Sequence, residues 1–187
     1  MKKMFSGRPR IAVGTLAVLA VVGGAAVAVP ALAAPSSAEQ TTAPAVKRQG
    51  VTQTQVLSAE TALKIADAVM REAAREKQRV TVAIVDRSGA TRLILKGDGA
   101  GPQTEESAKR KAFTAVSFGR PTSELGKGIG GGGPSIADIP GTLMLAGGIP
   151  VAVNGSPIAG IGVGGAPSGD IDERLAQAGL RAAGQLG

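Results

Sequence analysis

Ile149–Glu173 reads IPVAVNGSPIAGIGVGGAPSGDIDE, and its punctuation decides the fold. A short apolar run, Val151-Ala152-Val153, stops at Asn154-Gly155. Asn-Gly between apolar runs predicts a hairpin, because a type I′ turn needs φ > 0 at both central residues. Ile158-Ala159-Gly160-Ile161-Gly162-Val163 then resumes as a second strand. Its alternating glycines leave one face bare, so another backbone or helix can approach closely. Gly164-Gly165-Ala166-Pro167 breaks the strand, and Asp170-Ile171-Asp172-Glu173 opens a last helix, with Asp170 as cap and Glu173 as its capping-box partner. The rest of the chain must cover this hairpin and helix.

Upstream, Ser58 suits an N-cap, with Glu60 in the first turn and Leu63, Ala66, Val69, Met70 and Ala73 at helical spacing to about Lys77. The β-branched run Arg79–Asp86 predicts a strand, Arg87-Ser88-Gly89-Ala90 a turn, and Thr91–Lys96 a second strand. Thr104 is placed to cap a second helix, whose greasy side is Ala112, Phe113, Val116 and Phe118 and which Gly119 and Pro121 stop. Thr122–Leu125 adds a helical turn, Gly126–Gly133 is a glycine-rich loop, and Thr142–Ala146 reads as a third strand. No strand–helix–parallel-strand alternation occurs. The expectation is therefore α+β: an antiparallel sheet of about five strands flanked by helices.

The chain has 187 residues and 43% apolar content, enough for one core, but only 2% aromatics, so Ala, Val, Leu and Ile must build it. The net charge of +7 is concentrated at the start: Lys2, Lys3, Arg8 and Arg10 precede the first acid, Glu39, and without them 17 basic residues face 14 acidic ones. With so little aromatic surface for base stacking, nucleic acid is excluded as the partner. Residues 1–10 are basic, Ile11–Val29 is apolar, and Ala31-Leu32-Ala33 offers a small-residue cleavage pattern. That order predicts a signal peptide over 1–33 and a secreted, extracellular or wall-associated product, with an uncleaved membrane anchor as the alternative. Residues 34–55, rich in Ala, Ser, Thr, Gln and Pro, read as a disordered linker, and 56–187 as the folded domain.

The chain contains no His and no Cys. It thus lacks the commonest general base and metal ligand, and no Ser/His/Asp or Cys/His set can form, so binding is favoured over catalysis. Gly160–Gly165 matches G-x-G-x-x-G, but a dinucleotide site needs a following parallel strand and a distant acid. Lys127–Gly133 lacks the Gly-Lys-Ser/Thr ending of a P-loop and reads as a loop over a pocket. Lys109-Arg110-Lys111 is either a solvated helix face or a seat for an anionic group such as a carboxylate. Asp170 and Glu173, beyond opening a helix, could hold an oxygen-loving cation or iron.

Several motifs together resemble the GlcG/HbpS-like family of small haem-binding and haem-degrading proteins. They are Val82–Gly89 (VAIVDRSG), Ser107–Ala115 (SAKRKAFTA), Phe118–Thr122 (FGRPT), Ala146–Val151 (AGGIPV) and Gly160–Asp172. The resemblance covers roughly Leu57–Gln185 and implies a profilin-like fold assembled into homo-oligomers of up to eight copies. The exported members it points to bind haem and serve a membrane sensor kinase in haem and redox sensing. In them a threonine is thought to contact the iron, and Thr114 is the matching position; Lys111 and Arg110 would take the propionates. Among the usual soft iron ligands the mature chain keeps only Met70 and Met144, both of which read first as core. A hydroxyl is a weak ligand, so the resemblance implies loose, exchangeable haem. Two other readings stand beside it: a haem-degrading or small-molecule enzyme of the same family, and an oligomeric scaffold without ligand.

Overall fold

The computed structural model describes residues 50–130 and 133–184. The signal peptide expected over 1–33 and most of the expected linker lie outside them. Val51–Gln55, the described end of that linker, is exposed and without regular structure.

Helix α1 (Ala59–Arg75) starts where Ser58 accepts a hydrogen bond from the Thr61 N–H at 3.1 Å. Strands β1 (Thr81–Asp86) and β2 (Thr91–Lys96) form a hairpin, then come helix α2 (Thr104–Phe118) and a short helix α3 (Thr122–Lys127). Strands β3 (Gly148–Val153) and β4 (Ser156–Gly164) precede helix α4 (Gly169–Gly184). The sheet order is β2-β1-β4-β3, antiparallel throughout. The Asn154-Gly155 turn has φ of 50° and 77°, the left-handed pair a two-residue hairpin requires. At the other turn the Asp86 carboxylate accepts from the Ser88 hydroxyl and from the Ser88 and Ala90 N–H groups, which holds its pKa below the usual carboxylate range.

The described sheet has four strands, not five. Thr142–Ala146 forms no strand because α2 side chains take its backbone groups: the Thr142 carbonyl accepts from Arg110, and the Leu143 N–H donates to Thr114. Two caps also differ. Thr104 is buried, donating to the Gly101 carbonyl and pairing with the Thr81 hydroxyl at 2.7 Å, so it ties α2 to β1 instead of capping it. At α4 the Ser168 hydroxyl, not Asp170, accepts from the Ile171 N–H, and Glu173 turns away to Ser123 and Gly147.

Helices α1 and α4 cover one sheet face, where Ile65, Val69 and Leu175 pack with Val82, Ile84, Ile161 and Val163. The other face belongs to α2. There Gly160 and Gly162 let the helix lie directly on β4: a Cβ on either would run into the carbonyl of Ala112 or Ala108. This close approach is what sets the polar side of α2 against the loop before β3.

Candidate functional site

Arg110 and Thr114 lie one helical turn apart on α2 and so share a face. The Thr114 hydroxyl donates to the Arg110 carbonyl at 2.7 Å and accepts from the Leu143 N–H at 2.8 Å. One Arg110 terminal nitrogen (Nη2) donates to the Thr142 carbonyl at 2.6 Å. Together they pin the loop Ile139–Ala146 to the helix. Between them opens a hollow of about 380 Å³, bordered by Arg110, Gly126, Ile129, Thr142, Met144 and Leu145. The Arg110 Nε–H is buried and has no hydrogen-bond partner among the described residues. A buried unpaired donor on a cation costs free energy unless an acceptor reaches it. Through Ile129 the hollow adjoins a larger depression of about 1000 Å³ that Arg120 and Lys127 also border.

Of the residues singled out from sequence, Arg110, Thr114 and Met144 therefore come together. Thr114 is buried with its hydroxyl engaged on both sides, behind the hollow wall. Lys111 is the correction. It faces the other way, its ammonium 2.7 Å from Asp172 and 3.0 Å from the Val163 carbonyl, with both side chains buried. It is a structural ion pair joining α2, β4 and α4, not a propionate contact. Burial pushes the Asp172 carboxyl above the usual carboxylate range despite the pull of Lys111 and the Gly165 and Ala166 N–H groups.

Asp170 is exposed, while Glu173 accepts from the Ser123 hydroxyl at 2.7 Å and the Gly147 N–H at 3.3 Å. Among the described residues no three His, Cys, Asp or Glu side chains gather as a metal centre would need. Sequence reasoning missed Asp172 and Thr122. Asp172 pairs across 61 residues with no local signal, and Thr122 bridges the Leu145 carbonyl and the Gly148 N–H, holding the hollow's loop from its far end.

The family model described as "Haem degrading protein HbpS-like" matches residues 57–181, nearly the whole described domain. The chain belongs to the HbpS-like family. A crystal structure of HbpS is 53% identical over 77% of this chain and 99% of its own, with a TM-score of 0.71. A double mutant of HbpS from Streptomyces reticuli is also 53% identical, over 78% and 97%, with a TM-score of 0.72. More distant is a PduOC:haem complex, 26% identical over 68% and 95%, with a TM-score of 0.64. A search of curated proteins found no match.

Proposed function

We propose that this chain is an exported haem-binding protein that serves a membrane sensor kinase in haem and redox sensing and works as a homo-oligomer. The observation that carries the haem part is the unpartnered, buried Nε–H of Arg110 beside an apolar hollow with a methionine on its rim. Family membership and the haem complex of a similar structure support it.

The residues fit the group. Arg110 offers a charge-assisted donor to a propionate, Ile129 and Leu145 offer apolar wall, and the Met144 sulfur is a soft donor of the kind haem iron accepts. Lys127 stands at the adjoining depression for a second carboxylate, where Arg120 is already paired with Glu124. Thr114 and Thr122 position the loop that carries Met144. Bound haem would supply a redox-active iron. The chain's part is to hold it loosely at an open surface.

The test is a haem titration of the mature chain followed by its Soret absorption. Arg110→Gln should weaken binding about ten- to a hundredfold, the loss of one charge-assisted hydrogen bond of roughly 1.5–3 kcal/mol. Met144→Leu should move the band, and Thr114→Ala should weaken binding by freeing the Leu143 N–H and loosening the loop. An unchanged band in both Arg110→Gln and Met144→Leu would move the site elsewhere. Absence of any saturable band would leave the scaffold reading. Steady bleaching of bound haem with a reductant would favour the degrading reading that the family description names.

A further inference from the structure

Among the described residues, strand β2 is one edge of the sheet. It pairs with β1 on one side only, and Ile94 and Leu95 remain 36% and 42% exposed. The β1–β2 register opposes Val80 to Gly97 beyond the strand ends, and the Gly97 N–H donates to the Val80 carbonyl at 2.9 Å. Antiparallel ladders alternate between residues that exchange hydrogen bonds and residues that do not. From Gly97 the alternation gives Leu95 and Leu93 to β1 and turns the backbone N–H and C=O of Ile94 and Lys96 outward. An edge of this kind is a template for a further strand.

A hollow of about 390 Å³ adjoins that edge on the α1 side, bordered by Ala59, Ala62, Leu63, Thr91, Arg92 and Leu93. Leu63, 61% exposed, stands at its rim. The two features together offer what strand addition uses, main-chain hydrogen bonds and a hole for a side chain. The charges select the occupant. Leu93-Ile94-Leu95 is bracketed by Arg92 and Lys96. Two β2 strands paired antiparallel about Ile94 would set Arg92 of each copy against Lys96 of the other. Like charges directly opposite are destabilising, and carboxylates there are favourable.

We infer that the β2 edge is a docking site for an extended segment of a partner protein, aliphatic at its centre and carrying a carboxylate at each end. The site is on another part of the molecule from the Arg110 hollow and does not depend on haem.

Two synthetic peptides test it, one with the core Asp-Val-Thr-Val-Asp and a twin with Lys at both ends. Their binding to the mature chain is followed by fluorescence anisotropy and by hydrogen exchange of the Ile94 and Lys96 amides. The acidic peptide should bind saturably, protect both amides, and bind about tenfold more tightly than its twin, as two cross-strand ion pairs of roughly 0.2–1 kcal/mol each imply. Arg92→Glu combined with Lys96→Glu should reverse the order of the two peptides. Ile94→Pro removes an outward N–H and leaves the β1 ladder whole, so it should abolish amide protection while circular dichroism stays native. Equal binding of the two peptides, or no binding of either to natively folded protein, overturns the inference. So does a concentration-dependent dimer that Ile94→Pro dissolves, which would assign the edge to a second copy.

Discussion

Lys111 and Asp172 show how much one pair of side chains decides. Each would be costly alone in the core, and each is tolerable because of the other and of the Val163 carbonyl and Ala166 N–H beside them. Removing the cation strands a buried carboxylate, so Lys111→Met should cost about 3–5 kcal/mol, measured by urea unfolding at neutral pH. Replacing both with apolar residues of similar volume, Lys111→Met with Asp172→Leu, should cost far less. The pH dependence has a definite sign. Because the folded-state value of Asp172 is raised, its favourable contribution is complete below the ordinary carboxylate value and falls as pH rises through the raised value. In Lys111→Met the carboxyl can accept a proton, so the loss of stability should be largest at neutral pH and shrink on acidification. A loss independent of pH would mean that Asp172 stays ionised without its partner. Composition told little of this. Lys109-Arg110-Lys111 reads as one basic run, yet 100° of helix rotation per residue sends Arg110 to a hollow and Lys111 into the core, and only the packing of α2 on β4 says which goes where.

At the scale of elements, the pattern of residues carried most of the fold. The Asn154-Gly155 turn, the β2 bounds, the Ser58 cap and the Gly119 stop (φ 64°) follow from local chemistry that no distant contact overrides. The failures are where a distant side chain took a local backbone group. Thr142–Ala146 has strand-like residues but gives its backbone to Arg110 and Thr114, and Thr104 was drawn from capping into a buried bond with Thr81. The glycines of β4 were legible as a close approach, though not which helix approaches. Gly162→Ala puts a methyl group against the Ala108 carbonyl of α2, where backbone must move. It should destabilise by about 1–3 kcal/mol or more. Gly155→Ala meets no atom and should cost only the penalty of its left-handed backbone, about 1–2 kcal/mol. Thermal unfolding of the two variants separates steric conflict from turn strain; a fully native Gly162→Ala would mean α2 can lift off the sheet.

For the whole molecule, the described core closes between Leu57 and α4, and Val51–Val56 adds no buried side chain to it. A chain beginning at Val56 should keep the melting temperature and the haem titration of the mature chain. A large drop in melting temperature would show that the linker packs on the domain. Fold class and family were legible because they rest on many short motifs spread along the domain. The site was only half legible: Arg110, Thr114 and Met144 were each named, but the orphaned Nε–H that marks the hollow exists only once the loop has been drawn against α2.

The strand order carries a last consequence, for the timing of synthesis. Central β1 finds β2 within a few residues, yet its other neighbour, β4, ends at Gly164. Until the ribosome has delivered almost the entire domain, the inner side of β1 has no partner and α2 has no glycine trough to lie in. Non-local closure of this kind slows folding and leaves apolar strand surface open meanwhile. A chain with this strand order is expected to close its sheet only once its last quarter has been made.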